Sequence, residues 1–178
     1  MRNFFLLNRI NVLLLLIPVA CFSQKENLQD EYGIKTLFVY NFTKYIEWPL
    51  TAKKDYFEID VVGESDIIKP LEELAQNKKI NQKKIIVKVI NGDEEITGDL
   101  VFIAASKSNQ LATVIKNCKG KNVLIVTESA NLATKGAAIN FKVIDNKVRF
   151  ELNQTAAKNS GLKLSNQLVE LSIPVNAQ

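Results

Sequence analysis

The stretch "DLVFIAAS", Asp99 to Ser106, decides how the rest of the chain is read. From Leu100 to Ala105 it is apolar without interruption, with an acid in front and Ser-Lys-Ser behind. A strand with one wet face alternates apolar and polar residues. A run apolar on both faces belongs at the centre of a sheet covered on both sides. The next segment, "SNQLATVIKNCKG" (Ser108 to Gly120), reads as a helix with Ser108 as its N-cap and Gly120 just past its end. "KNVLIVTES" (Lys121 to Ser129) is then a second central strand.

Upstream the same alternation holds. "FEIDVVGES" (Phe57 to Ser65) is a strand ending in a Gly turn, and "IIKPLEELAQN" a helix with Pro70 in its first turn. "KKIIVKVIN" (Lys83 to Asn91) is a third strand. From Leu28 to Ile46 the apolar positions Ile34, Leu37, Phe38, Phe42, Tyr45 and Ile46 recur at three- and four-residue steps, which predicts a long amphipathic helix. Pro49 disfavours helical geometry at Trp48 and stops it there.

The tail changes character. "AAINFKV" directs Ile139, Phe141 and Val143 inward, and "KVRFELN" does so with Val148, Phe150 and Leu152. Asp145-Asn146 between them tolerate positive φ, so the pair is a hairpin. Two short helices follow, one closed by Gly161 and one opened by Ser165. The whole predicts an α/β three-layer sandwich with a mostly parallel central sheet and a C-terminal antiparallel hairpin at its edge.

The first 23 residues stand apart. Arg2 and Arg9 precede a short apolar run, Ile10 to Ala20, too short to span a bilayer and followed by small residues. This reads as a signal peptide over residues 1–23, cleaved after Ser23, leaving a single domain over 24–178. Lipid attachment at Cys21 is the rival reading. Pro18 and Val19 match the residues that precede a lipidated Cys poorly. Either route takes the protein out of the cytoplasm. Cleavage removes two Arg and no acid, so 21 basic and 19 acidic residues remain and the net charge falls from +4 to +2. Arg149 is then the only Arg, which argues against nucleic acid as a partner. Lys78, Lys79, Lys83 and Lys84 gather around a turn, read as a solvated loop beside a strand in preference to a phosphate patch.

The chain contains no His. That removes Ser-His-Asp and Cys-His nucleophile systems and His-ligated metals. Cys118 alone remains after cleavage, so an internal disulfide and thiolate metal sites go too. No Gly-rich phosphate loop occurs among the seven Gly. No cofactor and no metal are expected.

Ligands of open α/β sheets sit outside the carboxyl ends of the parallel strands. Those ends carry Glu64 and Ser65, Ser106 and Ser108, and Thr127 and Glu128, six candidate ligand-binding residues on one rim. Ordinary turn and cap chemistry explains the same residues equally well. Glu64 and Glu128 are the carboxylate pair an acid/base enzyme would use.

Taken in order, "FVYNFTKYIEWP", "VVGES", "VFIAASKS" and the segment from "VLIVTES" to "SNQLVEL" resemble the YfiR-like periplasmic proteins, from about Tyr32 to Leu171. The most telling pieces are the Tyr-Ile-Glu-Trp-Pro run, the Gly136 to Asn140 turn, "VRFELN" and "GLKLS". The resemblance implies an exported, often dimeric, non-enzymatic regulator. It would bind and repress a membrane signalling protein: a diguanylate cyclase with a periplasmic sensor domain, controlling cyclic di-GMP and biofilm formation, or a sensor kinase. Well-studied relatives carry redox-sensitive disulfides, which a chain with only Cys118 does not reproduce. On this reading Trp48, Pro49, Ser165 and Leu168 lie at a partner or dimer surface. The alternative is a periplasmic small-molecule-binding protein that uses the strand-end rim.

Overall fold

The computed structural model describes residues 22–49 and 54–175. The expected leader, residues 1–23, and the lipidation question at Cys21 lie outside the described residues, apart from Phe22 and Ser23. The elements are α1 (Phe22–Tyr45), β1 (Ile46–Glu47), β2 (Tyr56–Val62), α2 (Ile68–Asn77), β3 (Lys79–Ile80), β4 (Lys83–Ile90) and β5 (Leu100–Ile103). A 3-10 helix (Ala105–Gln110), α3 (Leu111–Cys118), β6 (Leu124–Thr127), β7 (Ile139–Ile144) and β8 (Lys147–Leu152) follow. The chain then runs through α4 (Gln154–Asn159), β9 (Lys163–Leu164), α5 (Asn166–Leu171) and β10 (Ile173–Pro174).

Eight strands form one sheet in the order β10-β8-β7-β6-β5-β2-β4-β3, and β1 with β9 makes a separate antiparallel pair. The five strands β4, β2, β5, β6 and β7 are mutually parallel. The fold is therefore the mixed α/β, mostly parallel architecture that the strand–helix alternation predicts. Two apolar cores, one on each side of the sheet, make the three layers. One joins Val39 and Phe42 of α1, Leu71 of α2 and Leu168 of α5 to the sheet. The other sets Leu111, Val114 and Cys118 of α3 against Val101, Ile103 and Ile125. Leu100 to Ile103 are all fully buried, as a run apolar on both faces requires. Phe38 and Phe42 meet Phe141 and Phe150 of the hairpin with ring centroids 5.0–6.1 Å apart, and this aromatic knot seats α1 on the sheet.

The hairpin turns at Asp145 and Asn146, with φ of 50° and 56°, the left-handed pair that a two-residue turn demands. It is not the outermost strand pair, because β10 runs parallel to β8 beyond it. Val143 departs from expectation: it is 51% exposed, because the hairpin tip projects past the helices that bury Phe141.

Two helix ends also differ. α1 stops at Tyr45, before Pro49 can act, because Ile46 pairs with Leu164 and the chain becomes extended. Ser108 caps nothing: α3 grows directly out of the 3-10 helix, and Gln110 ahead of it is already helical. Ser165 does cap α5, its Oγ accepting from Leu168 N at 3.2 Å.

Strand β2 hides two acids that the apolar reading passed over. Glu58 and Asp60 are both buried. Glu58 Oε1 accepts from Thr97 Oγ1 at 2.9 Å. Asp60 Oδ2 accepts from the backbone N–H of Thr97 at 3.1 Å and Gly98 at 2.8 Å. These bonds pin the approach to β5 against β2. A Cβ at residue 98 would stand 2.9 Å from Asp60 Cγ, so only Gly permits this close approach.

Candidate functional site

The carboxyl ends of β2, β5 and β6 converge with α1 on a cavity of about 390 Å³, lined by Tyr32, Glu64, Ser65, Asp66, Ala105, Ser106 and Glu128. Its floor is an ion pair. Lys35 Nζ lies 2.7 Å from Glu128 Oε2 and 2.6 Å from Glu31 Oε1, and the side chains of Lys35 and Glu128 are 6% and 3% exposed. Glu128 Oε1 accepts from Ala105 N at 3.2 Å. Both oxygens of Glu128 are thus engaged inside the protein.

Burial by itself disfavours the Lys35 ammonium. The hydrogen bonds to Glu128 and Glu31 outweigh it and hold the pKa above the ordinary lysine value. Tyr32 sits over this pair, with Lys35 Nζ 4.4 Å from its ring centroid. Burial first, and the Glu128 charge second, raise its hydroxyl, so it enters the cavity as a proton donor. Chemically the cavity offers hydroxyls and exposed carboxylates above a floor whose two carboxylates are already engaged by Lys35. A carboxylate already shared between an ammonium and a backbone N–H is no free general base.

Of the six rim residues, Glu64, Ser65, Ser106 and Glu128 line this one cavity. Ser108 is half-buried in the 3-10 helix and is not among its walls. Thr127 points into the sheet, where Oγ1 donates to Asn140 Oδ1 at 2.7 Å. Asn140 donates in turn to Glu151 Oε2 at 2.8 Å, and Lys142 reaches Glu151 Oε1 at 3.0 Å. Thr127 therefore starts a buried polar chain across β6, β7 and β8. Lys35 and Tyr32 were missed by sequence reasoning. The signal for Lys35 was a basic residue on the stripe it shares with the buried Val39, Phe42 and Ile46, and Tyr32 lies one turn before it on the same side.

A larger cleft, about 940 Å³, opens at the other ends of the strands and includes Trp48, Pro49, Lys83, Asp99 and Lys121. Trp48 is half-buried there. Its Nε1 donates to Asp99 O at 3.1 Å, and its ring meets Phe57 edge-on at 5.3 Å. Pro49 is exposed beside it. Ser165 N donates to Tyr45 O at 2.9 Å, tying α5 to the end of α1. Leu168 does not face out: it is 1% exposed in the core, and Leu171, 66% exposed, is the apolar surface residue of α5. A buried N-capped helix turns every third or fourth side chain inward, and position 168 is the one so turned.

Among the described residues no group of His, Cys, Asp and Glu could hold a metal ion, and no helix is long and apolar enough to cross a membrane. The fold and the two clefts define a three-layer α/β domain whose strand-end rim is closed at its floor by an internal ion pair. The family model described as YfiR/HmsC-like matches residues 32–173, and the chain belongs to that family. It is a family of regulatory proteins of the periplasm. No curated protein matches the chain.

Proposed function

We propose that this protein is exported through its N-terminal leader and represses a membrane signalling protein from the periplasmic side, without catalysis of its own. The family match over residues 32–173 carries the reading. The partner proposed is a diguanylate cyclase with a periplasmic sensor domain, so that repression lowers cyclic di-GMP and biofilm formation. Trp48, Pro49 and Ser165 belong to the surface that meets the partner or a second copy. Release follows from a signal that favours one conformer over another. Affinity capture of the tagged protein from crosslinked cells tests this. A membrane protein with a periplasmic sensor and a cytoplasmic output should return, and deletion of the repressor should raise cyclic di-GMP only when that protein is present. Recovery of the chain alone, despite efficient crosslinking, would sink the proposal.

A second reading, a small-molecule binder, draws support from the four rim residues that share one cavity. Here Tyr32, Ser65 and Ser106 supply hydroxyls and Glu64 a carboxylate. Amino acids, nucleobases and sugars, screened by thermal shift, should include one that raises the melting temperature with the logarithm of its concentration. Flat melting curves at saturation count against it.

A further inference from the structure

Strand β4 is an open edge for most of its length. It spans Lys83–Ile90, but β3 pairs only with Lys83 and Lys84. The direction of its backbone follows from two contacts. Lys83 pairs outward with Ile80 across a two-residue turn, whereas Ile90 O accepts inward from Gly63 N at 3.1 Å. Backbone groups alternate along a strand, so Ile85, Val87 and Val89 turn theirs away from β2. Among the described residues none of the three has a hydrogen-bond partner on that side.

The side chains along this edge form a pattern of their own. Lys84, Ile86 and Lys88 stand on one face at alternate positions, all exposed, with Ile86 at 42%. None of Lys78, Lys79, Lys83, Lys84 and Lys88 is in an ion pair among the described residues. Exposed sheet edges are protected by lysines because like charge repels a second copy of the same strand. The same lysines leave the edge open to a strand of opposite charge.

We infer that the β4 edge, residues 85–90, docks an extended acidic segment of a protein partner, which adds as a strand beside β4. Its acidic residues alternate about one apolar residue, which faces Ile86; one acid faces Lys88, and the other lies where β3 ends, within diagonal reach of Lys84 and its cross-strand neighbour Lys79. Main-chain bonds to Ile85, Val87 and Val89 supply register, and the charges supply selectivity. An anionic lipid surface fits the lysines but has no use for an open backbone edge or for Ile86 between them. The inference goes beyond repression: it concerns how a segment is held, whichever membrane protein is regulated.

The test uses the purified protein and an end-blocked peptide, Thr-Glu-Thr-Val-Thr-Glu-Thr, followed by amide hydrogen exchange. At saturating peptide the amides of Ile85, Val87 and Val89 should slow by about tenfold or more, while those of Ile86 and Lys88, already bonded to β2, stay unchanged. A peptide N-methylated at alternate residues, with its charge intact, should lose this effect. Lys84→Glu/Lys88→Glu should weaken binding by about tenfold or more, and a peptide with Lys in place of Glu should restore it to that variant. Three results overturn the inference: no slowing at saturation, equal effect from the N-methylated peptide, or binding of phosphatidylglycerol vesicles with none of the peptide. The membrane partner is absent from the assay, so failure here leaves the repressor reading standing.

Discussion

At the carboxyl ends of the parallel strands the Glu128 side chain is 3% exposed and locked to Lys35. At the opposite ends Glu47 and Glu95 are 79% and 78% exposed, with lysines 4.0 Å and 3.5 Å away. The same pair of residue types serves structure at one end and remains at the disposal of solvent at the other. The rim that looked like a binding site has its best carboxylate consumed, because α1 crosses it and brings Lys35 down onto Glu128. The cleft at the far end is more than twice as large, about 940 against 390 Å³, and Trp48 in its wall is only half-buried. Burial, more than residue type, separates the two.

The comparison is easiest to break at Lys35. Lys35→Met leaves Glu128 buried with only the Ala105 N–H, and should cost about 3–5 kcal/mol in urea unfolding. The double change Lys35→Met/Glu128→Leu should recover much of that, because the carboxylate left behind, Glu31, is partly exposed to solvent and not buried as Glu128 is. A loss below about 1 kcal/mol for Lys35→Met would mean the pair is screened as surface pairs are, and the floor is not locked.

Trp48→Ala should cost about 2–3 kcal/mol, since the indole gives up its contact with Phe57 and its bond to Asp99. Trp48→Phe, which keeps the ring contact, should cost about 1 kcal/mol. If Trp48→Ala lowers stability but leaves partner capture and oligomeric state untouched, Trp48 is a packing residue and leaves the proposed surface.

Asp60 sharpens the contrast from inside the sheet. Burial is the main reason its pKa is raised, against the backbone bond from Gly98. Oδ1 has no hydrogen-bond partner among the described residues, which leaves it free to carry the proton. A folded-state pKa above the unfolded one means that the folded chain binds more protons between the two values. Stability is therefore greatest below the unfolded pKa and declines as pH rises through the raised one. Asp60→Asn should flatten that decline while Oδ1 of the new amide accepts from Thr97 and Gly98. A decline unchanged in the variant would place the titration elsewhere.

Cys118 gives the smallest effect. Burial pushes its thiol up to about 12, so neutral-pH alkylation of the native protein should be negligible and should become complete in urea. Rapid alkylation of the folded protein would show that α3 opens locally.

How much was legible beforehand differs from element to element. The central strands were plain because residues buried on both faces are apolar without alternation, and the hairpin because Asp145-Asn146 is a local turn signal. Four short strands were not, since β1, β3, β9 and β10 are two residues each and exist only through their partners. Glu58 and Asp60 were hidden for a related reason: the hydrogen bonds that hold their carboxylates come from Thr97 and Gly98, about forty positions along the chain. On the rim, the sequence identified Glu64, Ser65, Ser106 and Glu128 through their place after strands, but Thr127 carries the same signal and points the other way.

What the sequence determined by itself was therefore whatever is written in nearest neighbours: layer order, parallel strands, turns, the α5 cap, and kinship with the regulatory family. Only the tertiary structure decided which charged groups are free. A carboxylate's availability depends on what crosses above it, and Lys35 reaches Glu128 from 93 positions away. It likewise left β4 uncovered past Lys84, because an edge exists only once the order of strands in the sheet is set.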